Sequence, residues 1–161
     1  MLEKKIINIA VHGVGTIGKR HLMAMNENQN VNLSGIIDIS DEAKQFCDNK
    51  NIPIYENLID LRKKSEINGV IISTPTIFHY ENTLAALELG LDVLIEKPIS
   101  ADVSEARTIA KVAEENNCKV LVGHQRRFYP LVRKAKEIVK NGEIGKIIGL
   151  SGVWALRKDN D

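Results

Sequence analysis

The sequence predicts an α/β fold: an open, doubly wound, mostly parallel sheet. Three observations predict it. Short apolar runs rich in β-branched residues alternate with amphipathic helical patterns along most of the 161 residues. Several runs are apolar on both faces, as strands covered on two sides must be. The first of them, Ile6 to Val11, breaks into Gly13-Val14-Gly15-Thr16-Ile17-Gly18 and restarts as a helical pattern. Alternation of this kind implies parallel strands joined by right-handed crossovers through helices.

The elements follow in order. After the glycine turn a helix is expected from Thr16 to about Met25, with Ile17, Leu22 and Met25 on one face. A second apolar run, Val31 to Ile37, ends in Asp38, and a short helix from about Asp41 to Asn49 buries Ala43, Phe46 and Cys47. Ile52 to Tyr55 reads as a brief strand, and Asn57 to about Lys64 as a polar, basic helix. Gly69 to Ser73 is a buried strand that Thr74-Pro75-Thr76 stops. From Phe78 to Leu89 the pattern is helical, and Gly90 is placed to end it. Val93 to Ile95 is the next strand, delivering Glu96-Lys97-Pro98 at its carboxyl end; Ser100 or Asp102 caps the helix that runs to about Asn116. Lys119 to Gly123 closes the series.

Ligands of such sheets sit at the carboxyl ends of the strands. There the chain carries Gly13 to Gly18, Asp38, Ser73-Thr74-Pro75, Glu96-Lys97-Pro98 and Gly123-His124-Gln125, all expected to line one crevice. The three glycines of the turn serve different ends. Gly13 permits the tight turn, Gly15 lets backbone N–H groups approach a pyrophosphate, and Gly18 lets the helix lie close on the strand. The free N–H groups and positive dipole end of that helix would stabilise the phosphates. Asp38 lies twenty residues beyond Gly18, the offset of a carboxylate that accepts hydrogen bonds from an adenosine ribose. A second reading makes Asp38 a helix cap in the loop Ser40-Asp41-Glu42. Thr76 can act as an N-cap, which places His79 at N3, and Pro75 holds Thr74 extended so that its carbonyl and hydroxyl face a ligand. The alternative is a capped helix with a surface histidine. Lys97, beside Glu96 and a rigid proline, can exchange a proton with a substrate hydroxyl if partly desolvated; otherwise the two form a surface ion pair.

Composition excludes other classes. Apolar residues make up 43% and charged residues 27% of the chain, the proportions of an ordinary globular domain. A net charge of +1, with only short basic clusters at Arg62-Lys63-Lys64 and Arg126-Arg127, leaves no nucleic-acid footprint. Cys47 and Cys118 lack metal or redox spacing and read as reduced structural thiols. With no signal-like leader and no run long enough to span a bilayer, a cytoplasmic location and no membrane partner are expected.

These clusters together resemble the Gfo/Idh/MocA family, whose members are mostly NAD(P)-dependent sugar, inositol and related dehydrogenases. The resemblance rests on Gly13-Val14-Gly15-Thr16-Ile17-Gly18 with His21 after it, Ser73-Thr74-Pro75 with His79, Gly90 before Val93-Leu94-Ile95-Glu96-Lys97-Pro98, and Gly123-His124-Gln125-Arg126-Arg127-Phe128-Tyr129-Pro130. It covers nearly the whole chain and implies a Rossmann-type fold. By it, Lys97 matches the lysine that binds substrate and nicotinamide ribose and takes part in proton transfer, and Glu96 its companion. Ser73, Thr74, Pro75 and His79 match the stretch passing the middle of the cofactor, and Gln125 lies near a position where many members place an asparagine beside the nicotinamide. His21 reads as packing or capping inside the first helix.

Length departs from the family, whose members run to well over 300 residues. The resemblance therefore implies a dinucleotide-binding domain over residues 1–125, and over 126–161 a connecting helix (Leu131 to Lys140) and the first strand (Lys146 to Leu156) of an incomplete α+β substrate domain, as in a truncated product or fragment. Such a strand, left without its sheet, would promote self-association through residues 146–156. The expected function is the NAD(P)-binding half of an oxidoreductase moving hydride between nicotinamide and a polyol or sugar-like hydroxyl, with little turnover in this chain alone. Alternatives are a non-catalytic dinucleotide-binding regulatory or interaction module and a sugar hydrolase using NAD transiently. Asp38 would repel a 2′-phosphate and Ile39-Ser40-Asp41 offers no arginine to hold one, so NAD is favoured over NADP.

Overall fold

A computed structural model describes residues 6–153 and residue 155. The chain forms two compact units that divide between His124 and Gln125. The first contains six strands: β1 (Ile7–His12), β2 (Val31–Ile37), β3 (Ile54–Tyr55), β4 (Gly69–Ile72), β5 (Asp92–Ile95) and β6 (Val120–Val122). All pairings are parallel, in the order β3-β2-β1-β4-β5-β6. Five helices connect them: α1 (Thr16–Asn26), α2 (Asp41–Asp48), α3 (Leu58–Lys64), α4 (His79–Glu88) and α5 (Val103–Glu115). The order reverses direction between β1 and β4, and in open α/β sheets the crevice at that reversal takes the ligand.

Alternation along the central strands explains why helices cover both faces. Ala10, Ile37, Val70 and Ile72 enter a core with α3, α4 and α5, through Leu58, Leu61, Ala86, Leu87, Ile109 and Ala113. Their neighbours Val11, Ile36 and Ile71 enter a second core with Ala43 and Cys47 of α2, against which Leu22 and Met25 of α1 pack. Side chains two apart share a face, so consecutive apolar residues in a strand need two cores. Ile17, expected on the same stripe as Leu22 and Met25, is 39% exposed. It sits in the first turn of α1.

Local chemistry sets the helix starts. Ser40 caps α2 by accepting from the Ala43 N–H, Asn57 caps α3 by accepting from the Asp60 N–H, and Asp102 rather than Ser100 caps α5. The expected Thr76 cap is absent: Thr76–Phe78 forms a 3-10 turn, and α4 starts at His79 with no side-chain cap. Gly90 ends α4 with φ at +71°, a conformation that favours glycine.

The second unit begins with the 3-10 turn Gln125–Phe128 and continues as α6 (Pro130–Lys140), with proline in its first turn. The strand expected from Lys146 to Leu156 does not form at residues 146–153 or at Ala155; Trp154 and Leu156 lie outside the described residues. Ile148, Leu150 and Val153 are each more than 90% exposed, and among the described residues no strand pairs with this backbone. A strand has no internal hydrogen bonds to hold it alone.

Candidate functional site

Register aligns the carboxyl ends of the strands into one row. His12 pairs with Ile37 and with Ile72, Ile72 with Ile95, and Ile95 with Val122. The residues that follow therefore stand side by side: Asp38, Gly13, Ser73, Glu96 and Gly123. Backbone hydrogen bonds continue the ladder through them, from Gly13 N to Ile37 O, Ser73 N to His12 O, Glu96 N to Ile72 O and Gly123 N to Ile95 O. With strands about 4.8 Å apart, Asp38 and Glu96 are separated by three spacings, about 14 Å.

The glycine turn occupies the middle of the row and is sterically required. Gly13 has φ at +88°, and a Cβ there would lie 2.7 Å from the Thr74 nitrogen. At Gly18 a Cβ would lie 2.1 Å from the Gly13 oxygen, so α1 can seat against the loop only without a side chain. Gly15 is different: nothing lies within 4 Å of a Cβ built there. Open space at Gly15, at the start of a helix with no side-chain cap and no acidic residue in its first turn, fits an anionic diphosphate. Val14 is buried beneath this turn, while Thr16 and Ile17 are exposed at its rim. From the β4 end, the Ser73 hydroxyl donates to the Gly13 carbonyl at 2.7 Å and so fastens the turn.

Asp38 reaches the same turn from β2. Its Oδ2 accepts from the Val14 N–H at 2.8 Å, and its Oδ1 accepts from the Ser40 N–H at 2.9 Å and the Ser40 hydroxyl at 2.8 Å. Burial would push this carboxyl up, but the donated hydrogen bonds from Val14, Ser40 and Ile39 outweigh it and hold it below the usual aspartate value. The capping reading of Asp38 is met indirectly: the carboxylate steadies Ser40, the residue that caps α2. Nearby, burial drives the His12 imidazole down to about 4, with the Asp38 charge opposing, so the ring is neutral at pH 7.

At the β4 end the side chains turn inward. His79 is 1% exposed, its Nδ1 2.8 Å from the Pro98 carbonyl oxygen and its Nε2 2.9 Å from the Thr74 carbonyl oxygen. The surface histidine of the alternative reading is not observed: the ring is buried between two loops. Thr74 correspondingly spends its carbonyl on His79, and its hydroxyl accepts from Asn82 at 3.2 Å. The ring joins the loop after β4, containing Pro75, to the loop after β5.

Glu96, at the β5 end, is held by His21 of α1, Nε2 to Oε1 at 2.9 Å. Lys97 is exposed and, among the described residues, its ammonium has no ion pair. The alternative reading, a Glu96–Lys97 surface pair, is not met: Glu96 pairs with a histidine instead. Gln125 belongs to the second unit, exposed at the start of its 3-10 turn. Sequence reasoning missed His12, and it missed the partner of His21. The signal was present: Gly18, His21, Leu22 and Met25 share one helical stripe, and a polar residue within an apolar stripe faces something that needs it.

Among the described residues no group of histidine, cysteine or acidic side chains could hold a metal ion, and no helix is long and apolar enough to cross a membrane.

Comparison with known proteins agrees with this geometry. Residues 7–124 match the family described as "Oxidoreductase family, NAD-binding Rossmann fold". Myo-inositol 2-dehydrogenase from Lactobacillus plantarum superposes with a TM-score of 0.82 at 34% identity, over 89% of this chain and 44% of that one. Scyllo-inositol dehydrogenase from Lactobacillus casei, solved with bound NAD(H) and scyllo-inositol, gives 0.79 at 29% identity, over 88% and 43%. Glucose-6-phosphate 3-dehydrogenase of Bacillus subtilis is 30% identical over 88% of this chain and 40% of its own length. The chain thus spans somewhat under half the length of these relatives.

Proposed function

This chain belongs to the Gfo/Idh/MocA family of oxidoreductases, and on that premise we propose that it is the dinucleotide-binding part of a dehydrogenase acting on a polyol or sugar-like hydroxyl. The observation that carries the proposal is the single row Asp38, Gly13, Ser73, Glu96 and Gly123 at the strand ends. A dinucleotide laid along it places adenosine ribose at Asp38, diphosphate at Gly15 and the start of α1, and nicotinamide ribose at Glu96. When bound, the nicotinamide supplies the hydride acceptor or donor. The protein's share is placement: Asp38 and Glu96 accept from the two riboses, and α1 holds the charge between them.

Lys97 emerges beside Glu96 at the nicotinamide end. In its neutral amine form this side chain would take the proton from a substrate hydroxyl once cofactor and substrate exclude water around it, and as the ammonium it would return one in the reverse direction. His79 does not touch the ligand in this scheme. It holds the Pro98 and Thr74 carbonyls, and thereby the loops that carry Lys97 and Pro75.

NAD is favoured over NADP. A 2′-phosphate beside Asp38 would meet a carboxylate kept ionised by three donors and, one turn on, Asp41. Lys44, the basic residue of that turn, already lies 3.5 Å from Asp41. Titrating the chain with NADH and NADPH, read by calorimetry or cofactor fluorescence, tests both parts. Saturable binding that prefers NADH supports them. Preference for NADPH overturns the assignment of Asp38, and no binding of either by a chain that unfolds cooperatively overturns the dinucleotide reading.

A further inference from the structure

The contact between His21 and Glu96 joins residues 75 positions apart, on α1 and at the end of β5. The two side chains are only 21% and 16% exposed. A neutral or charged imidazole donates to Oε1 through Nε2–H, while Oε2 receives only a long, 3.3 Å hydrogen bond from the Lys97 N–H. The third wall is Gly123 at the end of β6. A Cβ there would come within 3.0 Å of Oε1 and 3.2 Å of Oε2, so the carboxylate occupies a slot that the missing side chain leaves open. A glutamate has three side-chain torsions, and holding one oxygen from a neighbouring helix removes most of that freedom before any ligand arrives.

We propose that His21 is a positioning residue: it fixes Glu96 against Gly123 so that the second carboxylate oxygen is presented to a hydroxyl of the nicotinamide-side ribose. This rests on the reading of the row as a dinucleotide track. The helix that starts at the diphosphate then also orders the acceptor for the far ribose, and the two halves of the cofactor are sensed through one rigid element. A ligand that ends at the diphosphate gains nothing from His21; one that carries the second ribose does.

That difference is the test. The chain and its variants His21→Leu, His21→Gln and Gly123→Ala are titrated calorimetrically with ADP, ADP-ribose and NADH, and each is checked by thermal unfolding. In His21→Leu, affinity for ADP-ribose and NADH falls by about tenfold while that for ADP stays within about twofold. His21→Gln, whose amide can still donate to the carboxylate, recovers most of the loss. Gly123→Ala leaves His21 in place but pushes on the carboxylate, and shows the His21→Leu pattern; it carries the test alone if His21→Leu does not fold. Parallel losses for all three ligands, unchanged ADP-ribose affinity in His21→Leu, or no recovery in His21→Gln would each overturn the proposal. Failure of the unsubstituted chain to bind ADP would overturn the dinucleotide reading beneath it, and is seen in a separate titration.

Discussion

The two ends of the strand row are built differently. At the β2 end, Asp38 is held by backbone N–H groups and by a serine two residues away. At the β5 end, Glu96 is held by a side chain from another helix and by the room beside a glycine. Backbone donors come with the fold and survive most substitutions, whereas a side-chain pair can be removed by one. The β2 end, the adenosine side in the proposed reading, is therefore fixed by the architecture. The β5 end, the nicotinamide side in the proposed reading, is adjustable without endangering the sheet.

The strongest way to break this contrast is to attack the backbone end itself. Gly13→Ala forces a side chain onto a left-handed φ and against Thr74, and is expected to destabilise the chain by about 4 kcal/mol in urea unfolding, taking dinucleotide binding with it. Acid reaches the same end through His12. Its imidazole, lowered to about 4 by burial, binds its proton later than in the unfolded chain, which takes one up near 6.5. Across that window the unfolded state holds more protons, so stability rises with pH and is lost on acidification, by about 2–3 kcal/mol. His12→Asn should flatten a urea-midpoint profile between pH 6.5 and 4.5; an unchanged slope would remove His12 as its source.

Smaller effects sharpen the comparison. His79→Leu leaves the Thr74 and Pro98 carbonyls without their ring partner, with an expected loss of about 2 kcal/mol in the same assay. Asp38→Asn keeps an acceptor for Val14 but removes the charge, and should narrow the preference for NADH over NADPH by about tenfold, or about 1.4 kcal/mol. The smallest change is expected at Lys97. If its role is in proton transfer rather than in holding the cofactor, Lys97→Met leaves NADH affinity within about threefold, and a loss of a hundredfold would reassign it to binding.

The sheet, its order of elements and the glycine turn were legible because each depends on residues close in sequence: two-residue alternation at Ala10-Val11 and Ile71-Ile72, glycines spaced within one turn, Asp38 at the end of a run. The site was legible as a set of strand ends, since parallel strands bring all their carboxyl ends to one edge. Individual partners were not. The Ser73 hydroxyl on the Gly13 carbonyl, and the His21 ring on Glu96, join residues 60 and 75 apart, and which side chain meets which depends on register and rotamer. The surface alternative for His79 fails for a related reason. Local pattern sets a cap at Thr76, whereas a 3-10 turn occupies Thr76–Phe78, α4 starts at His79, and the ring is buried.

The parallel order gives the nascent chain a timetable. Made from its N-terminus at about 5–20 residues per second, the chain has β1, α1 and β2 available together, and with them the link from Asp38 to Val14. Ser73 follows some seconds later, when β4 docks on the free edge of β1 and its hydroxyl reaches the Gly13 carbonyl. The segment between Asp38 and Ser73 is therefore the stretch during whose synthesis the glycine turn lacks its Ser73 fastening.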